Sequence, residues 1–108
     1  MKIKYYDHGK SIDLELWRES DGRVFHLIAD ELSKKFKVKW VEKIEGIDQR
    51  YWDFKFKGIL LTLHLEHYTG IMIFADKSNP DIKQATDLLY ELGNYFKTWN
   101  LPKEIGKL

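Results

Sequence analysis

The chain has 108 residues, one domain's worth, and no second core fits beside the first. Its 18 Lys and Arg nearly cancel its 17 Asp and Glu, which argues against a strongly basic nucleic-acid binder and against an acidic mimic of DNA. Cysteine is absent, so disulfides, thiol nucleophiles and Cys-based zinc sites are excluded.

From Lys2 to Tyr6, Ile3 and Tyr5 alternate with lysines, a period of two that suits a short strand. His8-Gly9-Lys10-Ser11 reads as a turn. Ile12, Leu14 and Leu16 then alternate with Asp13, Glu15 and Trp17, a strand with a core face and an acidic outer face ending in an aromatic. After Ser20-Asp21-Gly22 the period becomes helical: Val24, Leu27, Ile28, Glu31, Leu32 and Phe36 fall three and four apart. Ser20 or Asp21 can cap this helix, Lys34 and Lys35 complement its negative end, and its span is Gly22 to Lys35.

Four strands follow. Val38, Trp40, Glu42 and Ile44 alternate with Lys37, Lys39, Val41 and Lys43, and a turn lies at Glu45-Gly46. Trp52, Phe54 and Phe56 alternate with Tyr51, Asp53, Lys55 and Lys57. Lys57-Gly58 is a tight turn that pairs Phe56 with Ile59 and Asp53 with Thr62. Ile59, Leu61, Leu63 and Leu65 alternate with Leu60, Thr62, His64 and Glu66, and Tyr68-Thr69-Gly70 turns the chain again. Ile71-Met72-Ile73-Phe74-Ala75 is apolar on both sides, so both of its faces should be covered. Asn79 before Pro80 then caps a helix from Pro80 to Thr98, with Ile82, Ala85, Leu89, Leu92, Phe96 and Trp99 as its stripe. Asn100-Leu101-Pro102 stops it, and Lys103 to Leu108 form a tail.

The order ββαββββα predicts an α+β fold over residues 1–108: a two-layer sandwich, its mostly antiparallel sheet carrying both helices on one face. The longest apolar stretch, around Ile59-Leu60-Leu61, is far short of a membrane helix. With no export signal at the N-terminus, the expectation is a cytoplasmic protein.

The residues offer little catalytic chemistry. His64, Glu66 and His67 are the densest cluster, but strand alternation sends His67 to the face opposite the other two, so they cannot chelate one ion. His64 and Glu66 read as solvent-face residues. No serine lies in Gly-x-Ser-x-Gly, and no phosphate-binding glycine loop is present. The expectation is no enzyme, no catalytic or metal site and no cofactor.

Two charge blocks remain. Asp13, Glu15, Glu19 and Asp21, with Trp17, form a charged and aromatic docking surface, and Tyr51 is a second outward aromatic. The run Lys34, Lys35, Lys37, Lys39 and Lys43 carries the alternative reading, a small nucleic-acid-binding regulatory module, which the neutral overall charge disfavours. Trp17, Tyr51 and Leu60 as surface apolar groups leave homo-oligomerisation open.

The run Gly46-Ile47-Asp48-Gln49-Arg50-Tyr51-Trp52-Asp53-Phe54 leads through Gly58 and Leu61 to Tyr68 into Gly70-Ile71-Met72-Ile73-Phe74. This "Gly-x-Asp-x-Arg-x-Trp, strand, Glu-x-x-x-Gly-Ile" pattern resembles small bacterial immunity proteins of polymorphic-toxin and contact-dependent growth inhibition systems. It covers the central meander and the helix after it. The resemblance implies a small α+β protein that binds and blocks one cognate protein toxin, a nuclease or other toxin domain, without catalysis. No binding residue carries over from it. Within the run, Asp48 should cap a turn and Arg50 should pair with it or with another carboxylate.

Overall fold

Alternation along the strands decides which side chains meet, and the computed structural model describes residues 1–102 apart from Lys10 and Lys77. The proposed C-terminal tail, from residue 103, lies outside the described residues. In chain order the elements are β1 (Lys4–Asp7), β2 (Ile12–Trp17), α1 (Gly22–Phe36), β3 (Lys39–Glu45), β4 (Gln49–Phe56), β5 (Ile59–Glu66), β6 (Gly70–Ala75) and α2 (Ile82–Thr98). The class and the order ββαββββα are those expected. One six-stranded sheet runs β1-β2-β6-β5-β4-β3, and every neighbouring pair is antiparallel. After β2 the chain crosses through α1 to the far edge. It returns as the meander β3 to β6, so the last strand closes against β2.

Residues directly opposed in an antiparallel pair share a face. Leu14 opposes Ile73, Ile73 opposes Leu63, and Leu63 opposes Trp52, one apolar row across the sheet. Val24, Phe25, Ile28, Ala29 and Leu32 of α1 join the same buried cluster, as do Ala85, Leu88, Leu89, Leu92 and Phe96 of α2. Both helices therefore cover one face. The buried side of α1 is turned slightly from the expected stripe: Phe25 and Ala29 are inside, and Leu27 is only half-buried. Phe25 accounts for the turn, because its ring meets Trp52 edge-on at 5.0 Å. Glu31 is not in the core; it accepts a hydrogen bond from the Tyr95 hydroxyl and ties α1 to α2.

The Lys57-Gly58 turn is as expected, with φ of 51° and 81° and Phe56 opposite Ile59. Four local expectations change. The second helix begins at Ile82, not Pro80. Its cap is Asp81, which accepts from the Gln84 N–H at 2.9 Å, while Asn79 instead accepts from the Asp81 N–H. In β3 a bulge between Trp40 and Glu42 breaks the simple alternation. Lys43 comes to oppose Trp52 and lies 4.2 Å from its ring centroid. In β2 a bulge between Glu15 and Trp17 sets Trp17 opposite core-facing Ile71, so Trp17 packs against the core instead of ending the acidic outer face. Gly70 permits that bulge: its φ is +81°, and a Cβ there would lie 2.1 Å from the Trp17 carbonyl oxygen. Finally, no helix among the described residues covers the second face of β6, where Met72 and Phe74 are half-buried between the neighbouring strands.

The edge strand β1 is anchored through Tyr5, whose ring lies 4.7 Å from that of Tyr90 and whose hydroxyl sits against Gly93 of α2. The Met1 ammonium donates to the carbonyls of Phe96 and Trp99, at 3.1 and 2.9 Å, at the negative end of α2. No helix among the described residues is long and apolar enough to cross a membrane.

Candidate functional site

No element among the described residues covers the face of the sheet opposite the helices, and its side chains fall into two cross-strand rows. One runs Lys4, Glu15, Met72, His64, Tyr51 and Ile44 from β1 to β3. The next runs Tyr6, Asp13, Phe74, Thr62, Asp53 and Glu42. At the middle of these rows the side chains shield one another. Glu15 and His64 are each only 8% exposed and Thr62 is 6%, although no helix or strand among the described residues lies above them.

Neighbours explain how the three tolerate burial, and where they do not. Thr62 donates to Asp53 across the β4–β5 pair at 2.7 Å. The His64 ring stacks on Tyr51, with centroids 4.2 Å apart, and meets the edge of Phe74 at 5.6 Å. Its Nε2 finds no hydrogen-bond partner among the described residues. Burial pushes the His64 pKa below the ordinary histidine value, against the opposing pull of Glu66 and Asp13, so the ring is held neutral. Glu15 accepts from Tyr6 through Oε1 at 3.3 Å, while Oε2 is buried without a hydrogen bond. Arg18 reaches no nearer than 3.9 Å to that oxygen, and its side chain is mostly exposed. An unanswered buried polar group costs about 1–3 kcal/mol, so both atoms are places where a bound group has something to offer.

At the β2–β6–β5 end a cleft of about 640 Å³ opens on this face, lined by His8, Ser11, Asp13, Thr62, Phe74, Ala75 and Asp76. His8 Nε2 lies 2.9 Å from Asp13. The floor is aromatic and the rim carries carboxylates.

The candidate residues read from sequence separate into two groups. Asp13, Glu15 and Tyr51 share the open face, with β6 and β5 between Tyr51 and the two carboxylates. Trp17 does not: the bulge moves it to the core side, with its indole N–H buried and unpartnered among the described residues. Glu19 is exposed after β2, beside a hollow it shares with Lys2, Trp17 and Arg18. Asp21 is the N-cap of α1; it accepts from the Arg23 N–H at 2.9 Å and pairs with the Arg23 guanidinium, which holds its carboxyl below the usual range. Tyr51 is half-buried and donates to Gln49.

His64, Met72, Phe74 and Thr62 were missed as site residues. Alternation already placed His64 on the outer face, but as a solvated residue; Tyr51 and Phe74 bury it instead. The apolar outer side of β6 is the signal for Met72 and Phe74, although by itself that pattern predicts a covering layer. His67 lies exposed in the turn after β5, away from His64. No group of three or more metal-capable side chains occurs among the described residues.

The lysine block does not share one surface. Lys34 and Lys35 end α1, with Lys35 over the Tyr95 ring; Lys39 opposes Lys55 on the open face; Lys43 lies over Trp52 on the other. Arg50 also departs from expectation. Its Nη1 lies 3.3 Å from His26 Nε2 and its guanidinium lies over Phe25, beside Gly22 of α1; it makes no salt bridge among the described residues.

A family model described as a protein of unknown function (DUF3630) matches residues 1–94, from β1 well into α2. No curated protein and no solved structure matches the chain.

Proposed function

We propose that this chain, which belongs to the DUF3630 family, is a binding protein without chemistry of its own that docks a cognate bacterial toxin domain on the uncovered face of its sheet and so neutralises it. The observation that carries the docking reading is the centre of that face. Tyr51, Met72 and Phe74 offer apolar surface, and Glu15 and His64 hold buried polar atoms with no partner among the described residues. Apolar area flanked by a few polar groups is the anatomy of a protein interface. The toxin identity of the partner is supported by the resemblance of the Gly46–Phe74 run to immunity proteins. In this reading the protein acts in the cytoplasm, where an incoming toxin would be met.

The test is to read the genes flanking this one, co-express the chain with any toxin domain they encode, and co-purify; flanking genes that encode none overturn the toxin reading. Protection of the cells and a complex that survives gel filtration are expected. Unprotected cells and no complex overturn the toxin reading. Binding to RNA or DNA that falls steeply with salt would favour the lysine block in its place.

A further inference from the structure

The sheet ends in two unlike edges. β1 is four residues long, and Tyr5 ties it to α2. β3 is seven residues long, and no strand among the described residues pairs with its outer side. A long edge strand offers a row of unpaired N–H and C=O groups to another strand. The bulge between Trp40 and Glu42 and the charge of Lys39 blunt the first half of this edge. The second half, Glu42 to Gly46, is regular. Gly46 donates to the Gln49 carbonyl at 2.7 Å, so by antiparallel alternation Ile44 and Glu42 also turn their backbone groups toward β4. Lys43 and Glu45 therefore turn theirs outward, and both residues are exposed. Apolar surface gathers on the same half. Val41 and Ile44 are more than half exposed, Ile47 is fully exposed, and Ile44, Ile47 and Tyr51 line one hollow.

A strand that pairs with a copy of itself does so about a two-fold axis, and the same patch serves both copies. The axis must pass through a residue, or opposed side chains would point to opposite faces. An axis at Val41 sets Lys39 against Lys43. An axis at Glu42, Lys43 or Glu45 sets that charge against its own copy. Like charges directly opposed are destabilising. An axis at Ile44 avoids this: it sets Ile44 on Ile44, sets Lys43 on Glu45 in both directions, and brings Ile47 level with Val41. The outward backbone groups of Lys43 and Glu45 then face each other, so each such pair exchanges both of its N–H···O bonds.

We propose that the Glu42–Gly46 half of β3 is a homodimer interface, at which two copies join edge to edge about an axis at Ile44 into one continuous sheet. Opposed residues share a face, so both helix layers lie on one side of that sheet and the two open faces adjoin on the other. Backbone hydrogen bonds hold the pair, and the Lys43–Glu45 pairs select its register. The paired segment is short against the roughly 1,200 Å² of a stable interface, so the dimer comes apart on dilution.

The test is sedimentation equilibrium of the full chain alone, from about 1 μM to 1 mM. A reversible monomer–dimer equilibrium is expected. Ile44→Lys, at an exposed position, should weaken it at least about tenfold with an unchanged far-UV CD spectrum. Lys43→Glu and Glu45→Lys should each weaken the dimer through like-charge opposition, and an equimolar mixture of the two should recover it as a heterodimer. Lys43→Glu also removes the cation from the Trp52 ring; should it not fold, Ile44→Lys decides. A chain that stays monomeric throughout, or a dimer untouched by Ile44→Lys, overturns the interface. With both charge variants folded, a mixture that associates no better than either alone overturns the pairing about Ile44. No toxin takes part, so the interface stands or falls apart from the docking reading.

Discussion

On the helix-covered face of the sheet, Leu14, Ile73, Leu63 and Phe54 are fully buried and meet only other apolar groups. On the opposite face of the same strands, Glu15, Phe74, His64 and Tyr51 are half to nine-tenths buried with no described element above them. The first face is mostly carbon, with the Tyr5 hydroxyl and the Trp17 and Trp52 indole N–H groups buried in it without a partner among the described residues. On the second, side chains large enough to shade one another have buried polar atoms without answering them. Burial on a sheet can arise from lateral crowding, and here it catches a carboxylate and an imidazole, where the covered face holds only neutral hydroxyl and indole donors.

The contrast breaks most visibly when the same side chain is removed from each face. Phe54→Ala, on the covered face, should cost about 3–5 kcal/mol in urea unfolding, through lost burial and a cavity between two layers. Phe74→Ala, on the open face, should cost only about 1–2 kcal/mol, because solvent or a neighbour fills the space. Equal losses would mean that the open face is as closely packed as the core.

The contact between β1 and α2 tests how tightly the covered side is closed. A Cβ at Gly93 would lie 2.0 Å from the Tyr5 hydroxyl, an oxygen buried without a partner among the described residues, so Gly93→Ala should destabilise by about 1–3 kcal/mol. Tyr5→Phe removes that oxygen and should recover part of the loss in the double variant. Strict additivity of the two changes would refute the contact. At the start of α1, Asp21→Ala removes the cap and should cost about 1 kcal/mol, read as a lowered urea midpoint at unchanged slope.

The smallest stability effect belongs to His64. Its folded pKa lies below that of the unfolded chain, so the unfolded state binds more protons as the solution is acidified. The contribution of the neutral ring is complete above the ordinary histidine pKa and is lost as pH falls through the lower folded value. His64→Phe keeps the stack on Tyr51 and removes the unpartnered nitrogen. Near pH 8 its stability should stay within about 1 kcal/mol of the parent or exceed it. Between pH 7 and 5 its pH profile should be flatter, and an unchanged slope there would show that His64 does not carry the acid sensitivity.

Much of the fold was legible because it depends on local periodicity. The β4–β5 register followed from Lys57-Gly58 and the aromatic alternation around it, and the meander followed from three short turns. The site was less legible. Asp13, Glu15 and Tyr51 could be placed on an outer face, but no signal within β2 announced a bulge before Trp17; its cause is Gly70, a strand away, which lets the backbone approach. Asp21 has the composition of a binding residue and the position of a cap. Arg50 sits near carboxylates in sequence and against Phe25 and His26 in space.

By itself the sequence determined the class, the order of elements, the antiparallel meander and the choice of core face. Each is set by spacing along the chain: a period of two for strands, three to four for helices, and glycine where a turn needs positive φ. Only the tertiary structure decided that β6 lies mid-sheet beside β2, that no described helix covers its second apolar face, and that His64 and Glu15 are buried there. Those facts depend on which strands become neighbours, and strand order is a long-range property that no local pattern encodes.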